Sequence, residues 1–272
     1  MLDDAGNAHQ IDRADIGEWQ VHIISAWRAG WSLPQHATLG RVGEWQKLGA
    51  ENNARWCDLV VGSHGGQGVF AQDAWTSPAR TPPLFPDAVT LVPLPSVPDL
   101  LSRIDSSPGC TIKDSFASLD LAPHGFRVLF DARWIMSPAP PANAWSVHSD
   151  WTKLTDPDGL SLWEEAWCQD DGPRGLFLPG LLSEAVVVLG RVANNRVLAG
   201  GIVNGSTDAV GISNVFSKAG HGPETWSTLA QCAGAFFPDL PLVGYERGAA
   251  LADAQNSGFQ TVGSLRVWLA DS

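Results

Sequence analysis

The stretch VGISNVFSKAGHGP, residues 210–223, decides how this chain is interpreted. Its first seven residues have the β-branched and aromatic content of a strand. Pro223 fits the first turn of a helix, and apolar residues recur at helical spacing after it. Glycines at the start of a helix let a ligand approach the backbone, where N–H groups without helical partners attract anions. The pattern predicts a phosphate-binding loop formed by Ser217, Lys218, Ala219, Gly220, His221 and Gly222.

The alternative is an ordinary strand-to-helix turn, because a G-x-G pair arises by chance in a chain with 28 glycines. The neighbouring segments help to decide between the two. Two strands over 185–189 and 196–203 are joined through Ala193-Asn194-Asn195, and asparagine tolerates the positive φ of tight hairpins. After the loop, the pattern predicts a helix ending at Phe237, a strand over 240–245, a helix over 249–256 and a last strand. The order from Ala185 is thus three antiparallel strands, loop, helix, strand, helix, strand.

The first half has weaker patterns. Spacings of three and four from Ile16 to Trp31 predict an amphipathic helix, and a second helix should run through Trp45 and Leu48. We expect strands at 59–61, 88–92 and 125–136 and a helix over 97–104. A helix over 160–167 opens the second half.

The proline-rich segment over 138–143 is the clearest break in the chain, because its prolines lack the N–H groups that helices and inner strands need. It divides the chain into an N-terminal α/β domain over 1–137 and a second domain over 144–272.

Composition excludes several classes of protein. A net charge of −12 disfavours binding to nucleic acid or to an anionic membrane. Four scattered cysteines without a C-x-x-C pair predict neither a zinc site nor a disulfide framework, and we expect no other metal site. No apolar run approaches the roughly 20 residues that span a bilayer. We therefore expect a soluble, cytoplasmic protein.

From about Ala144 onward, the order of elements resembles the GNAT family of acyl-CoA-dependent N-acetyltransferases. The family's pyrophosphate loop reads Q/R-x-x-G-x-G/A, which places Ser217 at the Q/R position and Gly220 and Gly222 at the two glycines. Family members also commonly end the last helix with a Gly-Phe pair, here Gly258-Phe259. The resemblance implies an α+β sandwich in which helices flank a mixed, mostly antiparallel central sheet. It also implies acetyl-CoA as cosubstrate.

By the same resemblance, acyl-CoA lies where the fourth and fifth strands separate, against Ile212, Ser213, Asn214 and residues 217–222. Tyr245 and Glu246 end the fifth strand and are the catalytic candidates, Glu246 as base toward the amine and Tyr245 as acid toward the thiolate. Strand alternation opposes a shared role, because neighbouring side chains point to opposite faces. The alternatives are that Tyr245 packs in the core with its hydroxyl bonded while Glu246 pairs with Arg247, and that Ser213 and Asn214 form a β-bulge.

Two departures from the family pattern bear on activity. Ser217 replaces a long polar side chain, and Ala254 stands where many members carry the tyrosine that protonates the thiolate. The first half is a candidate degenerate second GNAT unit, since Gly125-Phe126 leads into a strand much as Gly258-Phe259 does. We expect an N-acetyltransferase in which an amine of a small molecule or peptide attacks acetyl-CoA directly in a ternary complex. The alternative is a non-catalytic acyl-CoA-binding or protein-interaction module.

Overall fold

A computed structural model describes residues 39–140, 150–168, 172–217 and 221–271 of the chain. The helix expected between Ile16 and Trp31 lies outside these residues. The helices are α1 (Leu39–Ser63), α2 (Val97–Ser102), α3 (Pro157–Cys168), α4 (Gly222–Phe236) and α5 (Gly248–Asn256). The strands are β1 (Val69–Phe70), β2 (Ala74–Thr76), β3 (Ala88–Thr90), β4 (Thr111–Asp114), β5 (Phe126–Ser137), β6 (Trp151–Leu154), β7 (Val186–Ala193), β8 (Arg196–Gly205), β9 (Val210–Ser217), β10 (Leu242–Glu246) and β11 (Gln260–Ala270).

All of these strands belong to one sheet, in the order β1-β2-β3-β4-β11-β5-β10-β9-β8-β7-β6. Neighbours run antiparallel except in two places, where β3 pairs with β4 and β9 pairs with β10 in parallel. One core cluster packs α1 and α3 against one face, and a second packs α4 and α5 against the other. The predicted fold class is confirmed: helices flank a mixed, mostly antiparallel sheet.

The strands β5 and β11 join the two halves of the chain. β5 lies between β10 and β11, and β11 lies between β4 and β5. Their antiparallel pairing runs from Phe126 opposite Ala270 to Met136 opposite Gln260. Two side-chain hydrogen bonds cross this pair, Arg133 with Ser264 and Arg266 with Asp131. The domain boundary at 138–143 stays a prediction, and both predicted domains contribute to this single sheet.

Some sequence predictions of the first half are wrong. Residues 59–61 are not a strand but part of the last turns of α1, where Trp56, Cys57, Val60 and Val61 are buried on one face while Leu59 is 38% exposed. Apolar residues at spacings of three and four outweigh the β-propensity of the two valines. The short strands β1, β2, β4 and β6 escaped the sequence analysis. In β4 all four residues are buried, so there is no alternation to detect.

Adjacent glycines in β8 allow helices to pack closely on both faces of the sheet. A Cβ on Gly201 would lie 2.5 Å from Leu229 of α4. A Cβ on Gly200 would meet the indole of Trp163 in α3 and lie 2.7 Å from the Leu189 carbonyl oxygen. That carbonyl accepts a hydrogen bond from Trp163 Nε1 at 2.9 Å. Gly200 therefore allows Trp163 to reach the backbone of the sheet.

We expect Gly200→Ala to destabilise the protein by about 2–4 kcal/mol, because the methyl group both overpacks the core and disrupts the Trp163 hydrogen bond. The matched control is Gly62→Ala at an exposed position of α1, where a Cβ meets nothing within 4 Å. That change should stabilise the helix by up to about 1 kcal/mol. Urea denaturation measures both changes; equal stabilities of the two variants would contradict the packing argument.

Candidate active site

A cavity of about 300 Å³ lies where β9 and β10 separate. The two strands pair only through Val210 with Leu242 and Gly211 with Val243. Beyond these pairs β9 continues to Ser217 and β10 to Glu246, and residues of both strands line the cavity. Helices α1 and α5 and strands β4 and β5 contribute further walls.

A β-bulge turns β9 away from β10. Asn214 has a φ of 54°, and the register with β8 shifts between Gly200 and Ile202. Beside the bulge, Gly244 lies so close to β9 that a Cβ would be 2.8 Å from the Ile212 carbonyl oxygen. The backbone at Ser213 and Asn214 therefore forms the β-bulge that the sequence offered as an alternative. Both residues also line the cavity, and the Ser213 hydroxyl is buried without a hydrogen-bond partner in the described part of the chain.

Most of the predicted cofactor residues that the structure describes line this cavity: Ile212, Ser213, Asn214, Ser217 and Gly222. Lys218, Ala219 and Gly220 lie outside the described residues. His221 is exposed at the start of α4, with its Nδ1 3.3 Å from a Glu224 carboxylate oxygen.

Gly222 begins α4, and Pro223 occupies the first turn as expected. Any Cβ on Gly222 would clash with the buried carboxylate of Asp253 in α5. The start of α4 and the cavity wall are thus closely packed together.

Tyr245 faces α1. Its ring meets Trp134 of β5 edge-on at a centroid distance of 5.5 Å, and the Lys113 ammonium lies 4.2 Å from the ring centre. The hydroxyl makes no hydrogen bond to any described residue, unlike the alternative in which it is bonded in the core. Tyr245 is thus held by its ring and keeps an unused donor at the cavity.

Glu246 points to the other face of β10 and is half-buried in the cavity wall. Burial raises its pKa from 4.5 to about 8, against the opposing effects of the backbone N–H and charge of Arg247. The Arg247 guanidinium lies over the ring of Phe130, 4.6 Å from its centre. The side chains of Tyr245 and Glu246 therefore point to opposite faces of the sheet, as strand alternation requires. Both still line the cavity, because the cavity passes between the separated strands β9 and β10.

The last helix presents no tyrosine to the cavity. Ala254 is completely buried in the core beneath α5, and the residues of α5 that line the cavity are Ala250 and Asp253. Tyr245, the single tyrosine of the chain, is therefore the only phenol that can act as an acid here.

The wall opposite the cofactor residues was missed by the sequence analysis. It includes Asn53 and Cys57 of α1, Lys113 of β4 and Trp134 of β5. Asn52 holds α1 against the sheet: its amide oxygen accepts a hydrogen bond of 3.1 Å from Asn204. These contacts join residues far apart in the sequence, so no local pattern identifies them.

No family model matches the sequence, and no curated protein matches it either. Several solved structures are similar to this structure. A GCN5-related N-acetyltransferase from Kribbella flavida superposes with a TM-score of 0.56 at 12% identity, covering 83% of this chain and 96% of that one. A protein described as a GNAT-family acetyltransferase from Novosphingobium aromaticivorans gives a TM-score of 0.51 at 12% identity, covering 80% and 99%. A functionally unknown conserved protein from Staphylococcus epidermidis gives 0.52 at 11% identity, covering 76% and 95%.

At these identities the similarity shows the fold. The chain has the fold of the GNAT N-acetyltransferases, and the resemblance in the sequence is confirmed at that level. The superposition with the Kribbella flavida structure covers most of this chain. It includes residues outside the segment from about Ala144 onward, which carries the sequence resemblance.

Within the described ranges, no helix is long and apolar enough to cross a membrane. The same residues contain no group of three or more His, Cys, Asp or Glu side chains placed to hold a metal ion.

The raised pKa of Glu246 predicts a pH-dependent stability. Because its pKa is 4.5 unfolded and about 8 folded, ionisation is less favourable in the folded state, and wild-type stability falls as pH rises between these values. The stability of Glu246→Gln relative to wild type should increase as pH rises through this range. Above the range the difference should stay constant. Urea denaturation at several pH values measures the difference. Glu44→Gln, at an exposed position of α1, controls for the loss of a negative charge. If the stability difference between Glu246→Gln and wild type did not depend on pH, the raised pKa of Glu246 would be contradicted.

Proposed function

We propose that this protein is an acetyl-CoA-dependent N-acetyltransferase that moves an acetyl group directly to an amine. The observation that carries the proposal is the cavity between the separated strands β9 and β10, open to the start of α4, within a GNAT fold. An extended thioester can pass between such strands while its anionic end lies at the positive end of a helix.

The residues present fit acyl-CoA. Beyond Gly211 the edge of β9 that faces β10 has no ladder partner there, so its amide groups can pair with the amides of a pantetheine arm. The unpaired Ser213 hydroxyl lies on the same path. The start of α4 at Gly222 would receive the pyrophosphate, together with the predicted loop at Lys218, Ala219 and Gly220.

The chemistry then requires two proton transfers. The acceptor nitrogen attacks the thioester carbonyl carbon, the carbon–sulfur bond breaks, and CoA leaves as a thiolate. Ionised Glu246 takes the proton from the nitrogen, and its raised pKa makes it a competent base near neutral pH. Tyr245 gives its phenolic proton to the thiolate. Each residue acts from its own face of β10.

A covalent cysteine intermediate is disfavoured. Cys57 and Cys168 line the cavity, but burial raises the pKa of each thiol to about 11. A thiol in that state is a poor nucleophile at neutral pH. Direct transfer from acetyl-CoA to the amine remains.

One observation favours a second candidate, an acyl-CoA-binding protein without turnover. The cavity-facing residues of α5 are Ala250 and Asp253, neither of which can replace the phenol that many GNAT members carry on this helix. Thiol release with a panel of amines, measured after acetyl-CoA binding is established, distinguishes the two candidates.

Acetyl-CoA should bind at micromolar to millimolar concentration, with heat release or a change in tryptophan fluorescence. Gly222→Ala should weaken binding at least about tenfold, because the methyl group forces Asp253 into the space at the start of α4. Gly62→Ala is the matched control. Absence of binding by wild type at millimolar acetyl-CoA would refute the proposed function.

We expect Tyr245→Phe to lower kcat by about 10²- to 10⁴-fold, the usual contribution of a general acid, while acetyl-CoA still binds. The phenylalanine keeps the ring contacts with Trp134 and Lys113, so the loss reports on the hydroxyl. Thiol release with a reactive amine measures kcat. A variant as fast as wild type would exclude Tyr245 as the acid.

A further inference from the structure

Lys113 is a buried cation in the wall of the cavity. It is 3% exposed, its Nζ donates to Asn53 Oδ1 at 2.7 Å, and it lies over the Tyr245 ring. No Asp or Glu oxygen of the described residues lies within 4 Å of this Nζ. Burying a charge without an opposite charge is costly, which makes Lys113 a candidate partner for a ligand that supplies a negative charge.

The surroundings of Lys113 indicate the size of that charge. Because Asn53 Oδ1 accepts from Lys113, the Nδ2 group of the same amide remains a donor without a partner among the described residues. One ammonium and one amide N–H match the two oxygens of a carboxylate. A phosphate, with three oxygens and a larger charge, would need more donors than this ammonium and this amide provide.

Many of the other residues that line the cavity are aromatic. Aromatic side chains from α1, β5 and α3 line the cavity around Lys113: Trp56, Phe130, Trp134 and Trp167, with Phe85 from the loop before β3. Such a lining buries a hydrophobic body and leaves polar recognition to a few placed groups. The ligand should therefore combine a carboxylate with an apolar or aromatic part.

We propose that the acceptor is an amino acid with an apolar or aromatic side chain, whose carboxylate pairs with Lys113 while its amine receives the acetyl group. This inference rests on the proposed function, because it assigns the acceptor half of the same cavity. Lys113 lies against the ring of Tyr245, so a carboxylate held there leaves the neighbouring amine beside the candidate acid. The acetyl carbon forms its new bond to that nitrogen and loses the CoA sulfur.

The first test compares acceptors with and without the carboxylate: phenylalanine with phenethylamine, and leucine with isoamylamine. The concentration of the unprotonated amine is the same for each acceptor. Wild type should prefer the amino acid about 10- to 100-fold in kcat/KM, the range expected for a hydrogen-bonded charge pair. Lys113→Met should abolish the preference, and Lys113→Arg should retain much of it. A wild type that prefers the amines, or a Lys113→Met variant that keeps the preference, overturns the inference.

The second test needs no turnover and no acetyl-CoA. N-acetylphenylalanine carries the carboxylate of the expected product, and N-phenethylacetamide lacks it. Calorimetric titration should show the acid binding wild type about 10- to 100-fold more tightly than the amide, and this difference should vanish in Lys113→Met. Equal affinities in wild type overturn the inference even if acetyl-CoA binds. A protein that binds the acid and not acetyl-CoA refutes the proposed function, and with it the role of the amino acid as acetyl acceptor, and leaves Lys113 as a carboxylate-binding residue.

Lys153→Met is the matched control for both tests. Lys153 is a half-buried lysine of β6 whose ammonium also lies over an aromatic ring, 5.3 Å from the centre of Phe236, but it does not line the cavity. It should keep the wild-type preference. Circular dichroism verifies that the Lys113 variants are folded. If Lys113→Met does not fold, the preference for the carboxylate is measured in Lys113→Arg. A loss of preference in Lys153→Met would assign the effect to general electrostatics and overturn the role of Lys113.

Discussion

The position of β5 between β10 and β11 supports the rest of the molecule. Without it, β10 would be an edge strand, and the cavity would lose its wall on that side. β5 also carries Trp134, whose indole N–H donates to the Ser115 carbonyl oxygen after β4 at 2.7 Å. Gly49 of α1 lies directly against this ring, where a Cβ would be 2.8 Å from it. One strand thus fixes the sheet, the first helix and the ring on which Tyr245 packs.

The cavity separates its charged groups across the sheet. Glu246 and Asp253 belong to the side of α5, while Lys113 and Tyr245 belong to the side of α1. A ligand that passes between β9 and β10 meets both sets, so each can act on a different part of it. Lys113 is a cation in a position that solvent does not stabilise, because its side chain is buried.

The parts of the fold that the sequence predicts are those with local causes. The Asn194-Asn195 turn has positive φ at both residues, and β7, β8 and β9 follow their apolar runs. The parts it misses have distant causes: β4 is buried on both faces and pairs with β11, and the wall around Lys113 forms only when α1 reaches the sheet. At 59–61 two valines suggested a strand, although the spacing of the buried residues is helical. Local propensity yields to tertiary packing at such positions.

The pairing of β11 has a consequence for how the protein is made. One edge of β4 and one edge of β5 find their partner in β11, which is synthesised much later. Until then, their N–H and C=O groups present open edges to other chains. Contacts between such distant segments slow folding, and exposed strand edges during synthesis promote association with neighbouring chains. The sheet at these edges is therefore completed only after β11 has been synthesised.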